Sequence, residues 1–155
     1  MFYLLVYLFM NAGAFSALIA MGGRGIEYVE IGDFAGIGFK HPWVGASFAV
    51  FLFSLAGFPP TAGFLAKFYV FGAAVREGHV LLAVIAVAGS LVSVYYYLRV
   101  VVVMYMKDPV DGVRVEARNR GLDLVLFVCL WGVLQLGLWP GGILALVRQA
   151  AESLF

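Results

Sequence analysis

Lys67 is the side chain whose type and position could do chemistry, because it is the only charged residue between His41 and Arg76. A lysine at membrane depth costs about 2.5–3.5 kcal/mol on insertion scales, so an ionisable residue there is a candidate functional residue. Burial disfavours the ammonium form and a nearby carboxylate favours it, so the protonation state can change with the surroundings. Arginine remains protonated and could not switch in this way. The position therefore predicts proton transfer by Lys67.

Two structural interpretations of Lys67 compete with proton transfer. The side chain could extend to the membrane interface, or it could form a static pair with a carboxylate of another subunit. A predicted helix break lies directly before the lysine. Discontinuous helices near the bilayer midplane recur at the ion and proton sites of transporters. The break therefore favours the functional interpretation.

The composition predicts an all-α integral membrane protein. Of the 155 residues, 64% are hydrophobic and 12% are charged, and the mean hydropathy is +1.00. Soluble domains are about 45–50% apolar and about 25% charged. A net charge of +1 gives no reason to expect nucleic acid as a partner. The single Cys129 and the lack of a histidine pair or dinucleotide motif indicate that the chain binds no metal or cofactor and carries no electrons itself.

Four apolar segments are long enough to cross a bilayer, which takes about 20 helical residues. They lie at about residues 2–21, 42–75, 80–106 and 122–138. Together they predict a single transmembrane domain covering residues 1–155. Apolar residues on one side and charged ones on the other predict a short interfacial helix over residues 143–155.

The second segment, residues 42–75, is too long for one straight crossing. As a continuous helix it would rise about 50 Å, against a hydrocarbon core of about 30 Å. Pro59 and Pro60 lack the backbone donor, so the carbonyls of Leu55 and Ala56 lose their helical partners. Unpaired carbonyls cannot face lipid, so this stretch must face protein or trapped water.

The residues around the two prolines predict how one helix ends and the next begins. Gly57 can release the chain, and Thr61 can cap a new helix that begins near Ala62. We therefore expect a discontinuity at Gly57–Thr61. The residues assigned to the helix break are Gly57, Pro59, Pro60, Thr61 and Gly63.

Polar residues within the spans could line a hydrated path to Lys67. Ser90, Ser93 and Tyr97 have the spacing of one helical face. A serine in such a helix can instead bond to the backbone of its own preceding turn. The candidates for the path are Ser54, Ser90, Ser93, Tyr97 and Gln135.

Basic residues predict the orientation of the chain in the membrane. Loops 22–41 and 107–121 contain Arg24, Lys40, Lys107, Arg114, Arg118 and Arg120, whereas the other side has Arg76 and Arg148. Basic loops remain on the cytoplasmic side. We therefore expect both loops in the cytoplasm and both termini on the outer side of a bacterial or archaeal inner membrane.

The segment Ser54–Tyr69, which contains Gly57-Phe58-Pro59-Pro60 and Lys67-Phe68-Tyr69, closely resembles the broken-helix segment of subunit N of respiratory complex I, the NADH-quinone oxidoreductase. The segments Tyr7–Phe15, Ser93–Arg99 and Leu138–Pro140 are similar to the same family, in the same order. The resemblance covers essentially the whole chain.

This resemblance implies that the chain belongs to a larger multi-subunit complex. Members of the family have fourteen transmembrane helices in two inverted repeats, and this chain resembles helices eleven to fourteen. The resemblance implies that Lys67 is a proton-transfer lysine in a pump coupled to quinone reduction elsewhere in the complex. It also implies that quinone, NADH, FMN and iron–sulfur clusters belong to other subunits. The expected partners are the other membrane-arm subunits and the lipid bilayer.

Two further functions fit the same residues. A subunit of a multi-subunit cation/proton antiporter would share the Gly-x-Pro-Pro and lysine pattern. The run Tyr95-Tyr96-Tyr97-Leu98-Arg99 and the sequence Lys67-Phe68-Tyr69 favour the complex I subunit over the antiporter. The other alternative is a non-pumping membrane subunit, in which Lys67 has only a structural role.

Overall fold

The computed structural model describes residues 1–22, 30–108, 120–142 and Val147, and the regular structure within these ranges is helical. The elements in chain order are α1 (Phe2–Met21), a 3-10 turn (Ile31–Phe34), α2 (Ile37–Lys40), α3 (Pro42–Ala56), α4 (Ala62–Arg76), α5 (Val80–Met106) and α6 (Arg120–Leu138). Helices α1, α5 and α6 are long and apolar enough to cross a membrane. The prediction of an all-α membrane protein is confirmed.

Helices α3 and α4 together form the second span of the chain. Each has 15 residues and rises about 22 Å, which is less than the roughly 30 Å of a hydrocarbon core. Helix α3 ends at Ala56 and α4 begins at Ala62. The discontinuous second span is therefore confirmed, with its break at the predicted Gly57–Thr61.

The other helix boundaries agree closely with the sequence prediction. Helices α1 and α5 have the expected bounds, and α6 begins at Arg120 rather than near residue 122. The predicted interfacial helix over residues 143–155 lies outside the described residues except for Val147, which packs partly buried against the core. The assignment of residues 1–155 to one domain stays a prediction.

Helix α1 packs against α3, α4 and α6. Its buried residues recur every three or four positions, the spacing of one helical face: Phe2, Val6, Met10, Gly13, Ala14, Ala17 and Met21. Glycines allow close approach between membrane helices. The ring of Phe51 from α3 covers Gly13, and the ring of Phe9 lies against Gly132 of α6. These contacts hold α3 and α6 against α1.

The segment before α3 is more ordered than predicted. The sequence indicates a loop over residues 22–41, but the 3-10 turn and α2 form within it. The ring of Phe34 lies 6.2 Å from that of Phe48, and Phe39 packs edge-on against Tyr105 at 5.6 Å. Burial of apolar surface, at about 25 cal/mol per Å², outweighs the polar character of the segment. The turn and α2 therefore support one end of α3 and α5.

Helix α5 has buried side chains only near its two ends. They are Ala83 in the first turn, and Val103 and Met104 in the last turn. Ser90 and Ser93 lie between these ends and are partly buried. One face of the helix exposes large apolar side chains, including Leu81, Leu82, Val84, Ile85, Leu91 and Val92. Such side chains suit an environment of lipid tails, which are equally apolar.

Gly137→Ala is expected to destabilise the protein, because α6 packs directly on the helix break. A Cβ at residue 137 would collide with the carbonyl oxygen of Pro60 and would lie 2.7 Å from the amide nitrogen of Ala62. Overpacking of this kind costs about 1–3 kcal/mol. The measurement is the temperature at which half of the detergent-solubilised, tagged protein has aggregated.

The matched control is Gly89→Ala on α5, where a Cβ would meet nothing within 4 Å. Alanine forms helix more readily than glycine, so this variant should keep or raise the midpoint temperature. Equal midpoints for the two variants would contradict the close packing of α6 on the break.

Candidate functional site

Gly57 caps the C-terminus of α3, and two of the last four carbonyls of the helix accept hydrogen bonds from the backbone there. Gly57 has φ +93°, a left-handed conformation that glycine adopts without steric cost. Its amide donates to the carbonyls of Phe53 and Ser54, both at 3.0 Å, and the amide of Phe58 also donates to Phe53 at 3.0 Å. This is the Schellman pattern of a helix C-terminus. The carbonyls of Leu55 and Ala56 have no backbone partner within it.

Lys67 supplies the hydrogen-bond donors for those two carbonyls. Its Nζ donates to the carbonyl of Leu55 at 2.9 Å and to that of Ala56 at 3.0 Å. These are the two groups that the prolines were predicted to leave unpaired. The last carbonyls of a helix carry partial negative charge, which complements an ammonium group. A side chain of α4 thus completes the C-terminus of α3.

The third contact of the Lys67 Nζ reaches α5. It donates to the Ser90 hydroxyl oxygen at 2.7 Å. An ammonium group has three donors, and each of them has an acceptor here. Lys67 is partly buried, and its head group connects both halves of the broken span to α5.

The N-terminus of α4 is completed by a residue other than the predicted one. Thr61 occupies the N-cap position as expected, but its side chain makes no capping bond. Its hydroxyl donates instead to the carbonyl of Phe58, which also accepts from the Thr61 amide. The capping acceptor is the Ser54 hydroxyl, which receives the amide of Gly63 at 3.1 Å. The prediction of Thr61 as the side-chain cap is therefore wrong, because the end of α3 brings Ser54 closer to the free amide.

Gly63 is required by this close approach of α3 and α4. A Cβ at residue 63 would collide with the carbonyl oxygen of Ser54 and would lie 3.0 Å from the Met10 sulfur. The Ser54 hydroxyl, fully buried, donates to that same sulfur at 3.0 Å. We call the two side-chain contacts across the break, Lys67 on the end of α3 and Ser54 on the start of α4, the reciprocal caps.

A cavity of about 220 Å³ lies beside Lys67. It is lined by Tyr3, Tyr7, Met10, Leu55, Gly63, Lys67, Ser93 and Tyr97. The lining combines three phenol groups and a serine hydroxyl with the lysine head group. A cavity of this size has room for several water molecules, each of which occupies about 30 Å³ in the liquid. Groups that can donate and accept protons thus surround a space next to Lys67.

The structure brings some of the predicted path residues together and leaves others apart. Ser90 contacts Lys67 directly, and Ser93 and Tyr97 line the cavity. Ser93 also donates to the Ser90 carbonyl at 2.7 Å, the local bond that was the alternative interpretation for such serines. Ser54 belongs to the reciprocal caps. Gln135 is exposed on α6 and is not among the residues that line the cavity.

Three residues of the cavity were missed in the sequence. Tyr3, Tyr7 and Met10 of α1 line it, and the rings of Tyr3 and Tyr7 stack at 5.8 Å. Their spacing of four and three positions places them on one face of the helix. That spacing was the available signal, but aromatic and thioether side chains at helical intervals are also typical of ordinary packing.

Comparison with known proteins relates the chain to a family of membrane subunits. A family model described as NADH:quinone oxidoreductase/Mrp antiporter, TM, matches residues 1–93. The matched part contains α1, the whole broken span and Ser90.

Individual relatives match most of the chain. It is 44% identical to NADH-quinone oxidoreductase subunit N of Trichlorobacter lovleyi, over 98% of the chain and 31% of the relative. It is 43% identical to NADH-quinone oxidoreductase subunit N 1 of Solibacter usitatus, over 99% of the chain and 32% of the relative. A chain of respiratory complex I from Thermus thermophilus, solved with bound aureothin, matches with a TM-score of 0.78 and 31% identity, over 90% of this chain and 32% of that one. The chain thus spans about a third of the length of these relatives.

Ser54→Ala is expected to destabilise the protein through the reciprocal caps. The change removes the acceptor of the Gly63 amide and leaves a buried donor unpaired, at a cost of about 1–3 kcal/mol. The thermal aggregation midpoint of the solubilised protein measures this loss.

Ser47→Ala is the matched control on the same helix. Ser47 is also buried, but its hydroxyl only donates to the carbonyl of Trp43, one turn earlier, at 2.8 Å. Its removal leaves no amide without an acceptor, so the midpoint should change little. A larger loss for Ser47→Ala than for Ser54→Ala would argue against the capping role.

Proposed function

Because the chain belongs to the NADH:quinone oxidoreductase/Mrp antiporter transmembrane family, we propose that it is part of a proton-translocating membrane subunit in which Lys67 carries the proton. Its resemblance to subunit N is confirmed by the two bacterial relatives, and coverage of 31% and 32% fits the C-terminal part of that subunit. Translocation by the complete subunit would need the remaining two thirds of its length.

The observation that carries this proposal is the position of the Lys67 Nζ at the helix break and beside the cavity. The head group contacts two helix-end carbonyls and one hydroxyl, and it lines a cavity with room for water. A lysine can lose and regain its proton at such a site, since its protonation responds to burial and to neighbouring charge. Interrupted helices supply sites of this kind in transporters.

The proposal includes the surroundings of the chain. Quinone reduction in another part of a NADH-quinone oxidoreductase would bias the protonation of Lys67 through a long-range coupling. Quinone, NADH, FMN and iron–sulfur clusters would be bound by other subunits, and other membrane-arm subunits would be direct partners. The basic loops 22–41 and 107–121 would face the cytoplasm, and both termini would lie on the outer side of the inner membrane.

Two alternatives each have an observation in their favour. The family description includes Mrp antiporters, which favours exchange of a cation for protons, although the matched relatives are named subunit N. The three acceptors around the Lys67 Nζ belong to this chain itself, which favours a static cap without transport. Substitutions of Lys67 can distinguish the static cap from proton transfer.

Lys67→Arg is expected to abolish proton pumping in the complex that contains this chain. Arginine keeps a positive charge and several donors for the carbonyls of Leu55 and Ala56, but it does not release its proton. The measurement is NADH-driven acidification of inverted membrane vesicles, with assembly of the complex checked on a native gel. Lys67→Met, measured in parallel, removes both the proton and the cap.

The static-cap alternative makes the opposite prediction for these two variants. If Lys67 only completes α3, the arginine variant should pump normally while the methionine variant fails to assemble. Normal pumping by both variants in an assembled complex would rule out both proton transfer and capping by Lys67.

A further inference from the structure

The three partners of the Lys67 Nζ differ in what they can do with a proton. The carbonyl oxygens of Leu55 and Ala56 can only accept hydrogen bonds, whereas the Ser90 hydroxyl can accept and donate. A carbonyl of the backbone has no proton to pass on. Ser90 is therefore the one group in contact with this Nζ, among the described residues, that can take a proton on one side and release another.

The same difference allows the site to hold lysine in both protonation states. The ammonium has three N–H donors, which match the three acceptors at 2.7–3.0 Å. The neutral amine has two N–H donors and one lone pair. Its two donors can remain on the two carbonyls, which require donors. The lone pair then needs a donor, and rotation of the Ser90 hydroxyl supplies it without displacement of any heavy atom.

We infer that Ser90 is the proton-exchange partner of Lys67, an inference that rests on the proposed function of the lysine. When Lys67 is discharged, one Nζ–H bond breaks and a bond forms from that proton to the Ser90 oxygen. The original proton of the Ser90 hydroxyl leaves at the same time to a water molecule in the adjacent cavity. No electrons are transferred, and Lys67 is recharged by the reverse sequence.

The position of Ser90 suits this exchange. It belongs to α5, one turn before Ser93, which lines the cavity together with Lys67. The Ser93 hydroxyl donates to the Ser90 carbonyl, so its own oxygen remains able to accept. Ser90 is not itself among the residues that line the cavity, so a proton that leaves it would reach cavity water at the level of Ser93, three residues later in α5. The competing route is direct exchange between Lys67 and cavity water, which would make the Ser90 hydroxyl dispensable.

The test compares Ser90→Ala with Ser90→Thr in the assembled complex, using NADH-driven acidification of inverted vesicles. Alanine removes the hydroxyl and should slow pumping by at least about tenfold, as expected for loss of a proton-transfer group. Threonine keeps a hydroxyl on the same atom and should restore most of the rate. Ser47→Ala, which removes a serine hydroxyl from α3 outside the site, should pump normally.

Each outcome is decisive when Lys67→Arg is measured in the same vesicles. Loss of pumping in the arginine variant with normal pumping in Ser90→Ala would overturn the role of Ser90 and leave that of Lys67 intact. Normal pumping in the arginine variant would overturn both. Equal slowing by alanine and threonine would show that residue 90 matters for packing alone.

A further variant keeps the test possible if the complex that carries Ser90→Ala does not assemble. Ser90→Cys keeps the shape of the side chain with a slightly larger volume, and its thiol is a much weaker hydrogen-bonding group. Slower pumping by the assembled cysteine variant would support the exchange, and pumping at the unmodified rate would overturn it.

Discussion

The contact between the Lys67 ammonium and the carbonyls of Leu55 and Ala56 is the interaction on which the site depends. A helix can be interrupted within a bilayer only where the freed backbone groups find partners. Here a side chain from the second half-helix completes the first, and Ser54 of the first half-helix completes the second. The break is therefore held by side chains that cross it. As a result, the atom proposed to carry the proton also maintains the backbone geometry around it.

The location of the break could be predicted because its causes are local. Two adjacent prolines remove donors from known positions, and Gly57 permits the left-handed residue that ends α3. The partners of the freed groups could not be predicted, because they depend on how closely α4 returns to α3. Within this chain, the partners of the Lys67 Nζ include two carbonyls that only the return of α4 brings close. The Ser54 cap escaped prediction for the same reason.

Helical periodicity identified α5 correctly but not the surfaces that face it. The spacing of Ser90, Ser93 and Tyr97 predicts one face, and the site contains all three. Tyr3 and Tyr7 have an equally regular spacing, but nothing in an apolar segment distinguishes a cavity wall from ordinary packing. Gln135 differs from these residues, since its polarity suggested a place on the path but it is exposed on α6 and does not line the cavity.

The distribution of buried residues along α5 makes its contact with Lys67 sensitive to small displacements. The helix is anchored near its ends, by Ala83 at one and by Val103 and Met104 at the other. Outward bowing of the middle by about 1 Å would lengthen the 2.7 Å contact at Ser90 beyond hydrogen-bonding range. The two carbonyl contacts lie within the α3 and α4 pair and would survive such a movement. Outward displacement of the middle of α5 would therefore disconnect the lysine from the serine while leaving the break intact.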